Sequence, residues 1–253
     1  MSIKKQRRKS SSAVVYLPIA ALLILLLCVF GVSAFLHIVE IEVLGASMYS
    51  SAEIINASGI KIGDNILFVS TSDAEQRIYS ALPYINEVNI DFTFPDTVTI
   101  NIKESTAIAA MYYRGAVLKI DSAGRALELI DNIPAGLIEI IGFTSAEVEL
   151  GNILRAQSGS ETRLRSMIDV LTALETEGLH RGVSYVDVSN IANINFRYVD
   201  RFTVVLDDTG SIAHSINRLH GAFERLDTMR SANATGTFRR TDATGEWVFS
   251  EDP

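Results

Sequence analysis

The first 36 residues differ in their hydrophobic pattern from the rest of the chain. Residues 13–36, AVVYLPIAALLILLLCVFGVSAFL, contain no charged side chain. A helix rises about 1.5 Å per residue, so a stretch of this length reaches across the roughly 30 Å hydrocarbon core of a bilayer. We therefore predict a single transmembrane helix over residues 13–36.

Alternation of apolar and charged residues begins directly after this stretch. Val39, Ile41 and Val43 are separated by glutamates, which predicts a strand with one buried face. Two serine-led segments then have the form of capping boxes, in which a hydroxyl and a carboxylate each satisfy a backbone amide at a helix start. These segments are Ser50-Ser51-Ala52-Glu53 and Ser72-Asp73-Ala74-Glu75, and each predicts a short helix.

Two further alternating runs complete the region from residue 37 to residue 104. Each predicts a strand, and the turn between them is predicted at Phe94-Pro95-Asp96. The apolar faces are Val88, Ile90, Phe92 and Phe94 in the first strand, and Val98, Ile100 and Ile102 in the second. The predicted order is therefore strand, helix, helix, strand, strand, which is a small sheet with two helices on one face.

Residues 105–253 predict a β-rich domain with two long helices. Apolar residues at helical spacing mark the helices. The first stripe is Leu164, Met167, Ile168, Leu171 and Leu174, and the second is Ile212, Ile216, Leu219, Phe223 and Leu226. Apolar or alternating runs predict strands, including 107–113, 117–120, 138–141, 194–198, 202–206 and a final pair at 237–241 and 246–249. The predicted fold class is α+β.

Charge divides the chain in the same place as hydropathy. Residues 1–12 carry five Lys and Arg and no acid, whereas the remaining 17 Lys and Arg face 30 Asp and Glu, which gives −13 within an overall −8. Basic residues beside a span mark its cytoplasmic side. We therefore predict a basic cytoplasmic tip at 1–12, a single pass through the plasma membrane at 13–36, and extracytoplasmic domains at 37–104 and 105–253. An acidic outer part argues against a nucleic-acid partner.

The single cysteine, Cys28, lies within the apolar stretch. The outer domains therefore contain neither disulfides nor cysteine-based metal sites. A signal peptide cleaved after Val32-Ser33-Ala34 is an alternative, but the apolar run is longer than such peptides have. A lipoprotein acceptor role for Cys28 is a second alternative, but bulky Leu27 precedes it where a small residue is expected.

Sequence motifs of catalysis are missing. There is no glycine-rich phosphate loop, nucleophile elbow or HExxH motif. His214 and His220 are six apart on one predicted helix, so they point about 120° apart and do not suit one metal. Asp207 and Asp208 precede that helix, where acids usually interact with its N-terminus. We therefore predict no catalytic, cofactor or metal site and no enzyme activity.

Three local phrases in residues 37–104 resemble those of POTRA modules. They are Gly59-Ile60-Lys61-Ile62-Gly63-Asp64-Asn65, Leu82-Pro83-Tyr84-Ile85-Asn86-Glu87-Val88 and Phe94-Pro95-Asp96-Thr97-Val98-Thr99-Ile100. Lys103-Glu104 follows where the modules tend to have Glu-Arg, which is a small departure. The resemblance implies the βααββ arrangement that the periodicity predicts independently.

A longer resemblance covers nearly the whole chain. The segments 187–194 (DVSNIANI) and 198–206 (YVDRFTVVL) resemble the core phrase of the FtsQ/DivIB family of single-pass bacterial division proteins. The family has a cytoplasmic tip, one span, a POTRA module and a β-rich domain, and all four parts are predicted here in that order. The resemblance implies a non-enzymatic scaffold of the divisome at the division septum.

The same resemblance implies specific partners. These are two small single-span coiled-coil proteins of the FtsB/DivIC and FtsL types, held outside the membrane and linked to septal peptidoglycan synthesis, with the POTRA module helping in recruitment. A terminal strand with an open edge suits such a partner. We expect partner contacts from Trp247, Phe249, Arg239 and Arg240, with Trp247 and Phe249 as core residues being the alternative. Tyr198, Arg201 and Phe202 belong to the core phrase, and we favour a structural hairpin there, with partner contact second.

Two other functional classes compete with the scaffold. A POTRA-bearing secretion or outer-membrane assembly factor is disfavoured because it typically has a row of such modules, and a single one is predicted here. A membrane-anchored wall hydrolase is disfavoured by the missing catalytic site.

Overall fold

The fold is α+β, as seen in a computed structural model that describes residues 13–33, 36–207, 211–229, 234–240 and 246–251. Residues 1–12, 34–35, 208–210, 230–233, 241–245 and 252–253 lie outside the described residues, among them the predicted basic tip and Asp208. The helices are α1 (Ala13–Ser33), α2 (Ser51–Ser58), α3 (Thr71–Ala81), α4 (Glu161–Thr176) and α5 (Ile212–Met229), with 3-10 turns at Ile66–Phe68 and His180–Gly182. The strands are β1 (Glu40–Leu44), β2 (Ile85–Thr93), β3 (Thr97–Glu104), β4 (Ala109–Tyr113), β5 (Ala116–Ile120), β6 (Ala126–Ile130), β7 (Ile138–Ile141), β8 (Val183–Asp187), β9 (Asn193–Tyr198), β10 (Phe202–Asp207), β11 (Gly236–Arg240) and β12 (Trp247–Glu251).

Helix α1 occupies most of the predicted span. Its described side chains, including Leu17, Ile24 and Leu27, are exposed. Among the described residues, no helix combines the length and the apolarity that crossing a membrane requires. The transmembrane helix over residues 13–36 therefore stays a prediction.

The chain divides into two compact units. The first comprises Met1–Ile78 and Glu87–Lys103, and the second comprises Tyr79–Asn86 and Glu104–Pro253. In the second unit, Asn86 accepts a hydrogen bond from the Arg125 guanidinium at 3.3 Å. The segment 79–86 is thereby held against residues of the second unit.

The first unit contains a three-stranded sheet in the order β1-β3-β2. Strand β1 runs parallel to β3, with Glu40 opposite Thr97 and Leu44 opposite Asn101. The predicted βααββ order is confirmed. Its core consists of buried side chains from both helices and from the strands, namely Ile54, Ala74, Ile78, Ile90, Val98, Ile100 and Ile102.

Two local predictions in this unit have different outcomes. The Ser50 capping box is present, since Ser50 Oγ accepts from the Glu53 amide and the Glu53 carboxylate accepts from the Ser50 amide. The second box, predicted at Ser72 to Glu75, is wrong, because α3 starts at Thr71 and Ser72 lies within the helix, while Ser70 Oγ accepts from the Asp73 amide. Phe94 was expected on the buried face of β2, but it lies in the turn after the strand and is exposed.

The second unit is built on a nine-stranded sheet in the order β12-β11-β10-β9-β8-β7-β4-β5-β6. Helices α4 and α5 contribute the buried side chains of both predicted stripes to one core with this sheet. These include Met167, Leu171 and Leu174 from α4, and Ile216, Leu219, Phe223 and Leu226 from α5. The predicted β-rich domain with two long helices is confirmed.

Helix α5 connects two parallel strands, β10 and β11. Strand β12 then pairs antiparallel with β11, with Gly236 opposite Glu251 and Arg240 opposite Trp247. A Cβ atom added at Gly236 would lie 2.3 Å from the Ser250 carbonyl oxygen and 2.6 Å from the Phe249 ring. Glycine at position 236 therefore lets β12 approach closely and closes the sheet with an edge strand.

Candidate functional site

Strand β12 is one of the two edges of the nine-stranded sheet, and β6 is the other. Among the described strands, β12 pairs with β11 alone. Alternation along β12 separates two faces, since Trp247 and Phe249 are half-buried whereas Val248 and Ser250 are exposed. Because side chains alternate across a strand, Val248 and its register partner Arg239 share the outward face.

Ser215, a buried residue of α5, joins the last two strands to the helix. Its hydroxyl oxygen accepts a hydrogen bond from Arg240 Nη1 at 2.8 Å. Its carbonyl oxygen accepts one from Trp247 Nε1 at 3.2 Å. These two bonds place Arg240 and Trp247 on the inward face of the sheet, toward α5.

An aromatic cluster lies beneath the edge strand. Phe238 of β11 lies 5.0 Å from Phe249, 5.1 Å from Phe223 and 5.4 Å from Phe202, measured between ring centroids. Tyr198 stacks on Phe223 at 4.6 Å. Because tilted and edge-to-face contacts between rings are favourable, the cluster supports β12 from its inner side.

A groove of about 490 Å³ opens between α5 and β12. Its apolar lining includes Phe238, Trp247 and Phe249, and its charged lining consists of two arginines of α5, Arg218 and Arg225, together with Glu246. A Cβ atom added at Gly221, on the same helix, would meet nothing within 4 Å. The groove therefore offers apolar surface beside positive charge, directly next to an open strand edge.

The terminal residues predicted as partner contacts do not all face the same way. Trp247, Phe249 and Arg240 face α5, and Trp247 and Phe249 pack against the core. Arg239 is exposed on the opposite face. Val248, which the sequence reasoning omitted, is 51% exposed beside Arg239. Because side chains alternate along a strand, the order Trp247, Val248, Phe249 already indicates that Val248 faces away from its two neighbours.

The residues of the core phrase form the hairpin that we favoured. Val199 and Asp200 adopt positive φ angles of 46° and 54° between β9 and β10. Arg201 Nε donates to the Ala234 carbonyl at 3.1 Å, and its guanidinium carbon lies 4.5 Å from the centroid of the Phe202 ring. Phe202 is only 2% exposed, so its ring supports the site from within and has almost no surface for a partner.

Hydrogen bonds shift the pKa of three groups in other parts of the chain. A hydrogen bond from Lys119 is the main cause that lowers the pKa of Glu128, and one from Tyr84 lowers it further. Hydrogen bonds from Ser50 lower the pKa of Glu53, and the hydrogen bond to Glu87 raises the pKa of Lys103. Within the described ranges, no three His, Cys, Asp or Glu residues are grouped so that they could hold a metal ion.

Comparison with known proteins gives consistent matches. A family model described as "POTRA domain, FtsQ-type" matches residues 36–105. The cell division protein DivIB of Clostridium acetobutylicum is 27% identical over 184 residues, which are 72% of this chain and 72% of that protein. The cell division protein FtsQ of Corynebacterium glutamicum is 24% identical over 163 residues, which are 63% of this chain and 67% of that protein.

A solved structure also matches. It is the major extracytoplasmic domain of the trans isomer of the division protein DivIB from Geobacillus stearothermophilus, at 13% identity, with 51% of this chain and 99% of that chain covered. The TM-score of 0.27 is too low for an argument about fold. The FtsQ-type match and the relatives named DivIB and FtsQ instead show that the chain is similar to proteins of the FtsQ/DivIB family.

Proposed function

We propose that the chain is a non-enzymatic scaffold of the bacterial divisome. It binds small single-span coiled-coil proteins of the FtsB/DivIC and FtsL types outside the membrane and links them to septal peptidoglycan synthesis. The names of its relatives, cell division proteins DivIB and FtsQ, support a role in division. The observation that carries the binding proposal is the open edge of β12 beside an apolar groove with two arginines.

Strand addition explains how this edge binds a partner. An edge strand presents backbone amides and carbonyls that a partner strand can pair with, and pockets for alternate side chains then provide specificity. A strand added next to β12 places one set of its side chains over Val248 and the other set toward the groove, because side chains alternate across the sheet. The site therefore contacts side chains on both faces of the partner segment.

Charge selects among such segments. Arg218 and Arg225 outnumber Glu246 in the lining of the groove, and Arg239 is exposed on the outward face. These cations lie in a part of the chain whose net charge is −13. A partner segment with acidic side chains is attracted locally, whereas the acidic remainder of the domain repels it, which favours one docking position.

The N-terminal part of the chain supplies location in this proposal. Residues 13–36 anchor the protein in the plasma membrane with the basic tip in the cytoplasm, and the POTRA module at 37–104 helps in recruitment to the septum. Twenty-four consecutive uncharged residues behind five basic ones support the anchor and its orientation. The domain at 105–253 then works outside the membrane.

A matched pair of edge-strand variants tests the binding site. Val248 on β12 is 51% exposed, and Leu129 on β6 is 46% exposed at the other edge of the same sheet. We expect Val248→Asp in the full-length protein to weaken capture of purified FtsB/DivIC-type and FtsL-type partners by about tenfold or more, which corresponds to about 1.4 kcal/mol. Leu129→Asp should leave capture unchanged. Trp247→Ala is a less specific probe, because it also removes the hydrogen bond to Ser215.

Four results would contradict the proposal in different ways. Equal capture by the two variants would exclude β12 as the site. Capture by the POTRA region alone would move the site out of the second unit, and no capture by the wild-type protein would remove the scaffold role. Cleavage of peptidoglycan by the purified protein would instead favour a wall hydrolase.

A further inference from the structure

Three segments of the first unit meet at one end of its small sheet. The Ile66 amide donates to the Leu36 carbonyl at 3.0 Å, and the Ile38 amide donates to the Asp64 carbonyl at 2.8 Å. The Val39 amide donates to the Asp96 carbonyl, in the turn between β2 and β3, at 2.8 Å. Residues 36–39, 61–68 and 94–96 therefore form one surface, which we call the proximal end.

Large apolar side chains are exposed on all three segments of the proximal end. Phe68 is 81% exposed and Ile62 is 70% exposed, and Val39, Leu67 and Phe94 are also exposed. A concentration of this kind in one small unit marks an interaction surface, because exposed apolar residues are normally scattered singly.

The chain itself indicates what covers this surface. Leu36, whose carbonyl accepts the hydrogen bond from Ile66, is the last residue of the uncharged stretch 13–36. Consecutive Cα atoms are about 3.8 Å apart, so residues 37–39 cannot lie more than roughly 12 Å from the end of that stretch. A stretch that crosses the bilayer therefore holds the proximal end at the lipid surface.

We propose that the proximal end is a second membrane contact, in which Ile62, Leu67 and Phe68 enter the interface between lipid headgroups and acyl chains. Amphipathic elements at this depth bury their apolar face by about 5–10 Å. The inference rests on the proposed anchor at 13–36. It adds to the anchor a contact that fixes how the first unit is oriented on the membrane.

Several backbone amides of the loop at 61–68 have hydrogen-bond partners within the chain, as a position with little water requires. The Lys61 amide donates to Asp64 Oδ2 at 2.8 Å, and the Leu67 amide donates to Asn65 Oδ1 at 3.0 Å. The Gly63 amide donates to the Ile38 carbonyl at 2.8 Å. Since amides without partners are costly in lipid, these bonds let the apolar side chains enter without exposing unpaired backbone.

Charge around the loop is mixed and does not explain membrane attraction. Lys61 and Arg77 are exposed, but so is Asp73, and Asp64 and Asp96 lie at the same end. Apolar contact must therefore supply the attraction. Binding should accordingly persist in bilayers of uncharged phosphatidylcholine and in high salt.

Lipid-depth measurements on the full-length protein test this contact. A Cys28→Ala background carries one new cysteine labelled with an environment-sensitive fluorophore, in phosphatidylcholine vesicles that contain a lipid spin-labelled either in the headgroup region or near the end of an acyl chain. Lys61→Cys reports on the proximal end, Met48→Cys reports on the other end of β1, and Leu26→Cys reports on the helix. We expect the headgroup label to reduce fluorescence about twofold at position 61, the acyl-chain label to do so at position 26, and neither to have much effect at position 48.

The side chains are then tested with a matched pair. Ile62→Ser with Phe68→Ser should abolish quenching at position 61. Leu44→Ser with Met48→Ser, which also removes two exposed apolar side chains from the same unit, should leave it unchanged.

Each remaining outcome has a distinct meaning. Absence of quenching at position 26 would overturn the anchor and the inference with it. Quenching at 26 without quenching at 61 would overturn the inference alone, as would quenching at 61 that survives the Ile62 and Phe68 changes. Protection of position 61 only when the coiled-coil partners are added would assign this surface to a protein.

Discussion

Glu128 on β6 accepts hydrogen bonds from two side chains. Lys119 Nζ lies 2.8 Å from Glu128 Oε2, and the Tyr84 hydroxyl donates to the same oxygen at 3.0 Å. The Glu128 side chain is nearly half exposed, so solvent screens the pair and its contribution to stability is below about 1 kcal/mol. The network nevertheless ties the segment 79–86 to the edge of the large sheet.

This network predicts a pH dependence of stability. The pKa of Glu128 is lower in the folded chain than in the unfolded chain, chiefly because of the hydrogen bond from Lys119. Its contribution is therefore complete above the unfolded-state pKa and is lost as the pH falls through the folded-state pKa. We expect Glu128→Gln to lower the free energy of unfolding at pH 7 and to have less effect as the pH approaches about 3, measured by urea unfolding.

A double-mutant cycle with Lys119→Met provides the control. Once Lys119 is absent, Glu128→Gln should have a much smaller effect at pH 7. An effect of unchanged size, or one that grows as the pH falls, would contradict the assignment of the shift to this pair.

Residue conformation also shows a limit of sequence reasoning. The predicted strands 194–198 and 202–206 leave residues 199–201 for the turn of the hairpin, and the turn lies there. The positive φ of Val199, 46°, was not predictable, because β-branched residues rarely adopt it. The structure around the turn imposes it, since the Val199 amide donates to the Gly182 carbonyl at 2.6 Å, a partner that is distant in sequence.

At the scale of elements, Gly221 on α5 offers a way to fill the groove without disturbing the sheet. It is exposed, lines the groove and has open space where a Cβ atom would lie. We expect Gly221→Phe to weaken partner capture by about tenfold or more, because the ring would occupy space that the partner segment needs. Binding of labelled partner to the full-length protein measures this effect.

Gly221→Ala is the matched control. It adds only a methyl group, and alanine is favoured over glycine in a helix interior by about 1 kcal/mol. The variant should therefore unfold at a higher temperature and bind as the wild type does. Binding by the Gly221→Phe variant that equals that of the wild type would mean that the groove is not occupied by a partner.

Elements whose apolar faces are regular were predictable, whereas their partners in the sheet were not. The stripes of α4 and α5 and the alternation in β1, β3 and β10 identify the buried faces directly. Strand β6 was missed, because the consecutive residues Ala126 and Leu127 are both buried and alternation fails there. Periodicity reports which face is buried but carries no information on neighbours, so the nine-strand order and the parallel β10–β11 pair required the structure.

The same limit applies to the candidate site. The terminal edge strand was predicted from the apolar run at the end of the chain, and β12 is an edge. The division of its residues between two faces depends on pairing with β11 and on the hydrogen bonds to Ser215, which come from elements far apart in sequence. Phe202 looked available as a contact because its burial depends on Phe223 and Phe238.

At the scale of the whole molecule, charge and hydropathy assign different tasks to different parts. Five cations precede the uncharged stretch 13–36, and the −13 of the remaining chain follows it. A cluster of Lys and Arg beside a span resists translocation, whereas Asp and Glu contribute little to orientation. The proposed orientation therefore depends on the first nine residues and hardly on the acidic domains.

This dependence can be tested by neutralising the basic tip. We expect replacement of Lys4, Lys5, Arg7, Arg8 and Lys9 by Gln to increase several-fold the fraction of molecules that insert in the opposite orientation. In sealed right-side-out membrane vesicles, external protease degrades outer domains but leaves inverted molecules intact. The protected fraction, detected through a C-terminal epitope, measures the orientation.

The control removes the same amount of charge from residues that are exposed and lie far from the span in sequence. Its substitutions to Gln are at Arg114, Arg155, Arg165, Arg181 and Arg239. This variant has the same net charge as the tip variant, and its orientation should match that of the wild type. Inversion of both variants would make net charge the determinant, and inversion of neither would remove the basic tip as the orientation signal. If only the tip variant inverts, position relative to the membrane decides the effect, because the rule acts on cations close to the span.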